Sequence, residues 1–357
     1  MGCMKMNDKV WVPCELHTHT VHSDARHTLR ELSESALRAG FRAIALTDHN
    51  TMSGHVEAPS VMEETGLLIL RGMEWTTFYG HMLALGISDY VDWRDIGKQD
   101  IHTGIQRVHE IGGIIGLAHP FRVGSPMCTG CHWEFEIQNW HDVNYIEVWS
   151  GVWPSLKIDN HHAFQLWTDK LNAGFRITAT SGRDWHDSSP VTDPISVTYL
   201  GIDGALQEDA LIDAVRSGCV SVSVGPRIAC TVKSSDSKQM VGIGGTLSLT
   251  DHVPITIEVE LDTMTRAGLW DAPKQQFTVN IESNSGCIAQ LTFAPGVTTL
   301  SIMRSPEDII WMRCELFGVM NGVYTMLGFT NPIYFSVNTD WNYSVIDNES
   351  EARLLLG

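Results

Sequence analysis

Four clusters of histidines and carboxylates each follow directly on a short apolar run in the first half of the chain. The first is Glu15-Leu16-His17-Thr18-His19, continuing to Asp24, and the second is Leu46-Thr47-Asp48-His49-Asn50. The third has three parts: Gly72-Met73-Glu74, Gly80-His81 and Leu117-Ala118-His119-Pro120. The fourth runs from Thr180 through Gly182-Arg183-Asp184-Trp185-His186. Side chains alternate along a strand with period two, so the imidazoles of His17 and His19 point to one side. Metal-type donors at so many strand ends constrain the fold, because those ends have to meet. In a parallel α/β barrel the carboxyl ends of the strands share one rim, where active sites lie.

The rest of the pattern agrees with such a layout. Strands are predicted at Trp11–Leu16, Ala43–Thr47, Leu67–Met73, His81–Gly86, Ile114–Ala118, Tyr145–Val148, Arg176–Thr180, Ile195–Leu200 and Val220–Val224. Helical spacing falls between several of them, at Thr28–Ala39, Lys98–Ile111, Ile158–Ala173 and Gln207–Ser217, each followed within a residue by Gly. Thr28 and Glu31 have capping-box spacing. After Gly225-Pro226 the helical period disappears. Segments such as Pro254–Leu261, Gln276–Glu282 and Ile309–Leu316 follow at short intervals, divided by turn residues such as Asn284-Ser285-Gly286 and Asn321-Gly322. The expectation is an α/β fold with a barrel over residues 1–225, followed by a smaller all-β sandwich domain over residues 226–357.

Of 16 His, fifteen precede residue 187, which separates the chemistry of the two segments. The formal charge of −18 argues against a long nucleic acid as partner. The N-terminus has no apolar signal-peptide core and no myristoylation pattern, and no apolar run is long enough to span a membrane. Eight scattered Cys read as reduced thiols, so the expected location is cytoplasmic. Cys128-Thr129-Gly130-Cys131 is a lone pair and a weak metal or redox signal.

In order, the motifs ELHTHT, SDA, TDHN, GME, AHP and GRDWH resemble those of the PHP (polymerase and histidinol phosphatase) domains over about residues 12–225. The resemblance implies a distorted (β/α)7 barrel holding two or three divalent ions, Mn, Fe or Zn. It implies that His17, His19 and Asp184 hold one ion. Glu74 would bridge to a second, also bound by His119, and Asp24, His49 and His186 would hold a third. For the remaining ligand Glu147 stands first, at a strand end, with His161 or His162 as the alternative. Trp311-Met312-Arg313-Cys314-Glu315 and Thr330-Asn331-Pro332-Ile333-Tyr334 look like a PHP branch with a C-terminal β domain that includes the carbaryl hydrolases.

The implied chemistry is hydrolysis by a metal-activated hydroxide, with Glu74 holding the ions together and His81 or His186 donating a proton to the leaving oxygen. His81 is equally placed to orient a ligand. Arg122 and Arg183 are the substrate-binding candidates, since guanidinium groups grip phosphate through paired hydrogen bonds; Arg26 and Lys157 stand behind them. Trp75, Trp149, Trp153 and Trp185 flank the ligands and read as packing before stacking. The expected partner is a small phosphate mono- or diester, with no membrane and a homo-oligomer possible. The alternatives are an ester, amide or carbamate hydrolase and a non-catalytic binding module.

Overall fold

A computed structural model describes residues 9–123, 133–188, 193–235, 239–249, 253–270, 274–305 and 308–337. Cys128, Cys131 and His252 lie outside the described residues.

The first strand, β1 (Val10–Thr18), pairs in parallel with β2 (Ala43–Leu46), and β2 with β3 (Leu68–Thr77). Helix α1 (Leu29–Arg38) makes the first crossover. Thr28 and Glu31 form the full capping box, and Leu29, Leu32 and Ala36 turn inward. A second helix, α2 (Ala58–Thr65), lies before β3. Sequence periodicity misses it because it is short, carries Pro near its start and buries only Ala58 and Val61.

The chain then departs from a uniform β/α repeat. β3 turns through Phe78-Tyr79 directly into β4 (Gly80–Leu85), which runs antiparallel to it. A two-residue connection permits only a hairpin, since a parallel crossover needs a dozen residues or more. β5 (Ile114–Ala118) follows α3 (Ile101–Glu110) and is antiparallel to β4. Parallel pairing resumes with β6 (Tyr145–Ser150), α4 (Ile158–Asn172) and β7 (Thr178–Gly182). Beyond β7, β8 (Val197–Ile202) pairs antiparallel with β1, and β9 (Val220–Ser223), after α5 (Glu208–Ser217), pairs antiparallel with β8.

The expected seven-stranded closed barrel is therefore corrected. The ladder runs β9-β8-β1-β2-β3-β4-β5-β6-β7 and stays open at β7. Side chains and single bridges span the seam instead. Thr198 Oγ1 donates to Ser181 O at 2.9 Å, and Trp185 N donates to His17 O at 3.1 Å. Asn331 is buried between β7 and β9. Its Oδ1 accepts from Ala179 N at 2.7 Å, while its Nδ2 donates to Ala179 O at 2.8 Å and to Val220 O at 3.3 Å. One amide side chain thus stands in for the peptide group a neighbouring strand would supply.

The remaining strands form two packed sheets. One contains β11 (Met240–Gly242), β10 (Arg227–Ser234), β13 (Ile255–Asp262) and β16 (Thr299–Arg304), in that order. The other contains β14 (Phe277–Ser283), β15 (Gly286–Phe293), β17 (Trp311–Met320), β18 (Val323–Thr330), β19 (Ile333–Val337) and β12 (Thr246–Leu249). β17 and β18 turn at Asn321-Gly322, both at positive φ (48° and 81°), as a two-residue hairpin requires. The second sheet is not freestanding, because β18 pairs with β9 and so continues the barrel sheet. One hydrophobic cluster runs through both regions. Arg313 of β17 pairs with Glu315 (2.8 Å), donates to Thr168 of α4 and stacks on Phe164, Trp167 and Trp311. No helix among the described residues is long and apolar enough to cross a membrane.

Removing the Asn331 amide strands buried donor and acceptor groups on two strands. Asn331→Ala is expected to cost about 2–4 kcal/mol. It would be read as a lower denaturant midpoint at unchanged slope; an unchanged midpoint would show that the amide does not hold the seam.

Candidate metal centre

The strand ends deliver the donors. His17 lies near the end of β1 and His19 one residue past it, both fully buried. His49 follows β2, His119 follows β5 and Asp184 lies two residues beyond β7. Asn50, His119 and Asp184 all have positive φ (53°, 28° and 56°). Such backbone is costly for residues with a Cβ and clusters at functional sites. Asn50 is held there by its amide, which accepts from Thr76 N (3.0 Å) and donates to Thr76 O (2.9 Å). His81 sits at the start of β4, not at an end. Because β4 is antiparallel, its start lies beside the end of β3, with Thr76 opposite His81.

The donors converge in three groups that share members. The first contains His17, His19, Glu74 and Asp184. His17 Nε2 lies 3.3 Å from Glu74 Oε2 and 3.4 Å from Asp184 Oδ1; His19 Nε2 lies 3.4 Å and 3.0 Å from the same atoms. The second contains Glu74, His81 and His119, with His81 Nδ1 at 2.9 Å and His119 Nε2 at 3.3 Å from Glu74 Oε1. The third contains His19, Asp24, His49 and His186. In it, Asp24 Oδ1 lies 3.5 Å from His49 Nε2 and 3.0 Å from His186 Nε2. Glu74 has one oxygen toward the first group and the other toward the second.

Supporting contacts orient these groups. His17 Nδ1 donates to Glu147 Oε2 at 2.7 Å, which turns Nε2 into the first group. His186 Nδ1 donates to Asp184 O at 2.9 Å, which leaves Nε2 facing Asp24. Asp48 accepts from Thr20 N and Oγ1 and from Ser23 Oγ at 2.6–2.7 Å, and so fixes the loop that presents Asp24. A Cβ on Gly182 would lie 2.5 Å from His17 Cβ and 2.9 Å from Glu147 Oε2, so only glycine lets these strands approach.

Burial and charge oppose one another here. Burial alone would raise the Glu74 carboxyl, but His17, His49 and His81 hold it well below the usual range. Asp184 is likewise held low against burial by His17 and His19. Burial would lower His17, yet Glu147, Glu74 and Asp184 push it well above its ordinary value. Burial pulls His19 down to about 4, against its Asp184 partner. Glu15, bonded to the backbone N–H of His17 and Arg183, is pushed by burial up to about 8.

The donor set also fits divalent cations. His17 Nε2, His19 Nε2, Glu74 Oε2 and Asp184 Oδ1 are buried with no hydrogen-bond partner. Buried polar atoms are ordinarily paired, and these four lie together in one group. A mixed imidazole and carboxylate set of this kind suits Mn, Fe or Zn.

Nine residues were expected as ligands. Eight of them, His17, His19, Asp24, His49, Glu74, His119, Asp184 and His186, fall in the three groups. Glu147 does not; it stands behind His17. His161 and His162 are exposed on α4 and belong to no group. His81 takes the vacant place beside Glu74 and His119, and its signal was the Glu74–His81 spacing across a hairpin. Arg122 reaches the centre, donating through Nη1 to Asp184 Oδ2 and through Nη2 to Ser150 Oγ, both at 2.5 Å. Arg183 does not join it. Its guanidinium lies 4.3 Å over the Trp185 ring, because its backbone N–H is tied to Glu15 on the far side of the strand end. His27 supports His19 O, His55 contacts Gly72 O and His22 pairs with Glu57. Trp75, Trp149 and Trp185 are buried packing residues, whereas Trp153 is half-buried with Nε1 bonded to Asp193.

Residues 15–117 match the family model of the PHP domain. An uncharacterised protein of Methanocaldococcus jannaschii is 27% identical over 125 residues, covering 32% of this chain and 69% of that protein. A 3',5'-nucleoside bisphosphate phosphatase of Chromobacterium violaceum is 28% identical over 109 residues, covering 29% of this chain and 38% of that enzyme. The chain thus spans about two-fifths of that phosphatase. In structure, the fold resembles a two-domain protein of Bacteroides vulgatus containing a predicted PHP-like metal-dependent phosphoesterase. The TM-score is 0.52 at 14% identity, over 93% of this chain and 98% of the other. The PHP match therefore covers the segment that carries Glu15 to Leu117, with the fold of the whole chain shared with a two-domain PHP-like protein.

Proposed function

We propose that this chain is a PHP-type metal-dependent phosphoesterase acting on a small phosphate mono- or diester. The observation that carries the reading is the convergence of three donor groups, two of which share the buried Glu74 carboxylate while the third joins them through His19. Arg122 beside that centre, together with a relative named as a bisphosphate phosphatase, favours phosphate over a neutral ester. In this reading residues 1–225 form the hydrolase unit and residues 226–357 a β domain that braces it. Membership of the branch with the carbaryl hydrolases rests on the Arg313 and Asn331 motifs.

His17, His19, Glu74 and Asp184 would hold one ion, Glu74, His81 and His119 a second, and His19 or its neighbours Asp24, His49 and His186 a third. Ions bound there would lower the pKa of water and withdraw charge from a phosphoryl oxygen. The protein's own part is positioning. Glu74 holds two groups in register, Glu147 keeps His17 in one tautomer, and Arg122 places a cation beside Asp184 at the edge of the centre. With Nδ1 on Asp184 O and Nε2 turned toward Asp24, His186 would serve the third ion as a ligand, and the leaving oxygen would take its proton from solvent.

Two outcomes follow. With Mn²⁺, Fe²⁺ or Zn²⁺ added, the protein should hydrolyse aryl phosphate mono- or diesters and lose activity to a chelator. Glu74→Gln should lower kcat by about 10²-fold or more. Hydrolysis of aryl carboxyl esters or carbamates with no phosphate ester cleaved would overturn the reading. Metal analysis separates ligand from support. Glu74→Ala should lose bound ion, whereas Glu147→Ala should keep the full count at saturating metal but bind about 10–100-fold more weakly. Equal loss in both would make Glu147 a ligand.

A further inference from the structure

We propose that Arg122 and Lys157 form a subsite for a second anionic group of the substrate, beside the group attacked at the metal centre. The inference rests on the phosphoesterase reading for what fills the centre, and adds that the substrate carries two anions.

The subsite is built on the chain that leaves β6. Asn160, buried in the first turn of α4, accepts from Ser150 N (3.1 Å) and donates to Ser150 O and Pro154 O (both 3.0 Å). Gly151 N donates to Gly182 O at 3.0 Å, which ties the same loop to the end of β7. Ser150 and Gly151 are therefore held at a fixed place beside Asp184. Gly151 has φ +76°, and a Cβ there would lie 2.4 Å from Lys157 Nζ and 3.4 Å from Arg122 Nη2. The Lys157 ammonium thus packs where a Cβ would stand, and the missing side chain is what lets two cationic nitrogens converge over this turn.

Their charges are poorly matched by protein. Among the described residues, the hydrogen bond from Lys157 Nζ goes to a neutral carbonyl, Ser150 O, at 3.3 Å. Among the described residues Arg122 has one carboxylate partner, Asp184 Oδ2. The other oxygen of Asp184 faces His17 and His19 at the centre. Asp159, Asp184 and Glu147 act on Lys157 through space, but among the described residues none of them forms an ion pair with it. Burial, and next the Arg122 charge, pull the Lys157 ammonium below its ordinary range, as expected of a half-buried cation awaiting a counter-ion. A phosphate or carboxylate can accept from both nitrogens at once. Only the width of Asp184 separates this point from the first donor group, so one small molecule can reach both.

Calorimetry on the metal-loaded full chain would test this with methylphosphonate, methylenebisphosphonate and phosphonoacetate. Wild type should bind at least one of the two doubly anionic ligands about tenfold or more tighter than methylphosphonate. Gain with the bisphosphonate marks a phosphate subsite, and gain with phosphonoacetate a carboxylate subsite. Lys157→Met should reduce that ratio of dissociation constants about tenfold, with Lys157→Arg restoring part of it. Gly151→Ala, whose Cβ would displace the Lys157 ammonium, should act in the same direction. An unchanged ratio in Lys157→Met, or no preference in wild type, overturns the subsite. Binding needs no turnover, so a Lys157-dependent preference in a protein that cleaves no phosphate ester would sink the phosphoesterase reading alone. Phosphate-ester hydrolysis without the preference would sink the subsite alone.

Discussion

A fully buried carboxylate is stable only among compensating groups, and Glu74 is ringed by five imidazoles within 3.4 Å. The imidazoles come from four places in the chain: two at the end of β1, one after β2, one at the start of β4 and one after β5. Those strands can meet around a single carboxylate only if β3 occupies the middle of the sheet and β4 returns antiparallel beside it. The strained backbone at Asn50, His119 and Asp184 lies at the same rim. Strain, burial and unpaired polar atoms are all concentrated where the donors converge, and coordination of cations is the chemistry that would offset all three.

The C-terminal sheets contribute at a distance. Asn331 closes the seam next to β7, and β7 leads to Asp184. Arg313 anchors α4 from the other side, and α4 carries the Asn160 clamp that sets Ser150 and Gly151. Asp184 is thereby held between two devices, the seam and the clamp, neither of which touches a donor group directly. It also links the centre to the Arg122 and Lys157 pair, with one oxygen committed to each.

Much of this was legible because metal donors need a specific residue type at a strand end, a pattern that survives in one dimension. The capping box of α1, the Asn321-Gly322 hairpin and eight donor positions belong to that class. The direction in which a side chain faces was not legible. Glu147 lies at a strand end as a ligand should, but its partner is the back of His17, which requires knowledge of the β6–β7 pairing. His81 reads from sequence as a proton donor or as a residue that orients a ligand; the β3–β4 hairpin reverses its strand and brings it to the rim. Arg183 adjoins a donor in sequence, yet beyond the end of β7 the chain turns at Asp184 and leaves the Arg183 guanidinium over the Trp185 ring. The open seam was invisible because a single asparagine about 150 residues away fills it.

The central claim is that Glu74 organises a multinuclear metal centre, and anomalous diffraction from metal-loaded crystals tests it most directly. The account predicts peaks at both Glu74 oxygens, within about 2.0–2.6 Å. One would be shared with His17, His19 and Asp184 and the other with His81 and His119. A fully loaded protein whose ions sit elsewhere, with neither Glu74 oxygen coordinated, would contradict it.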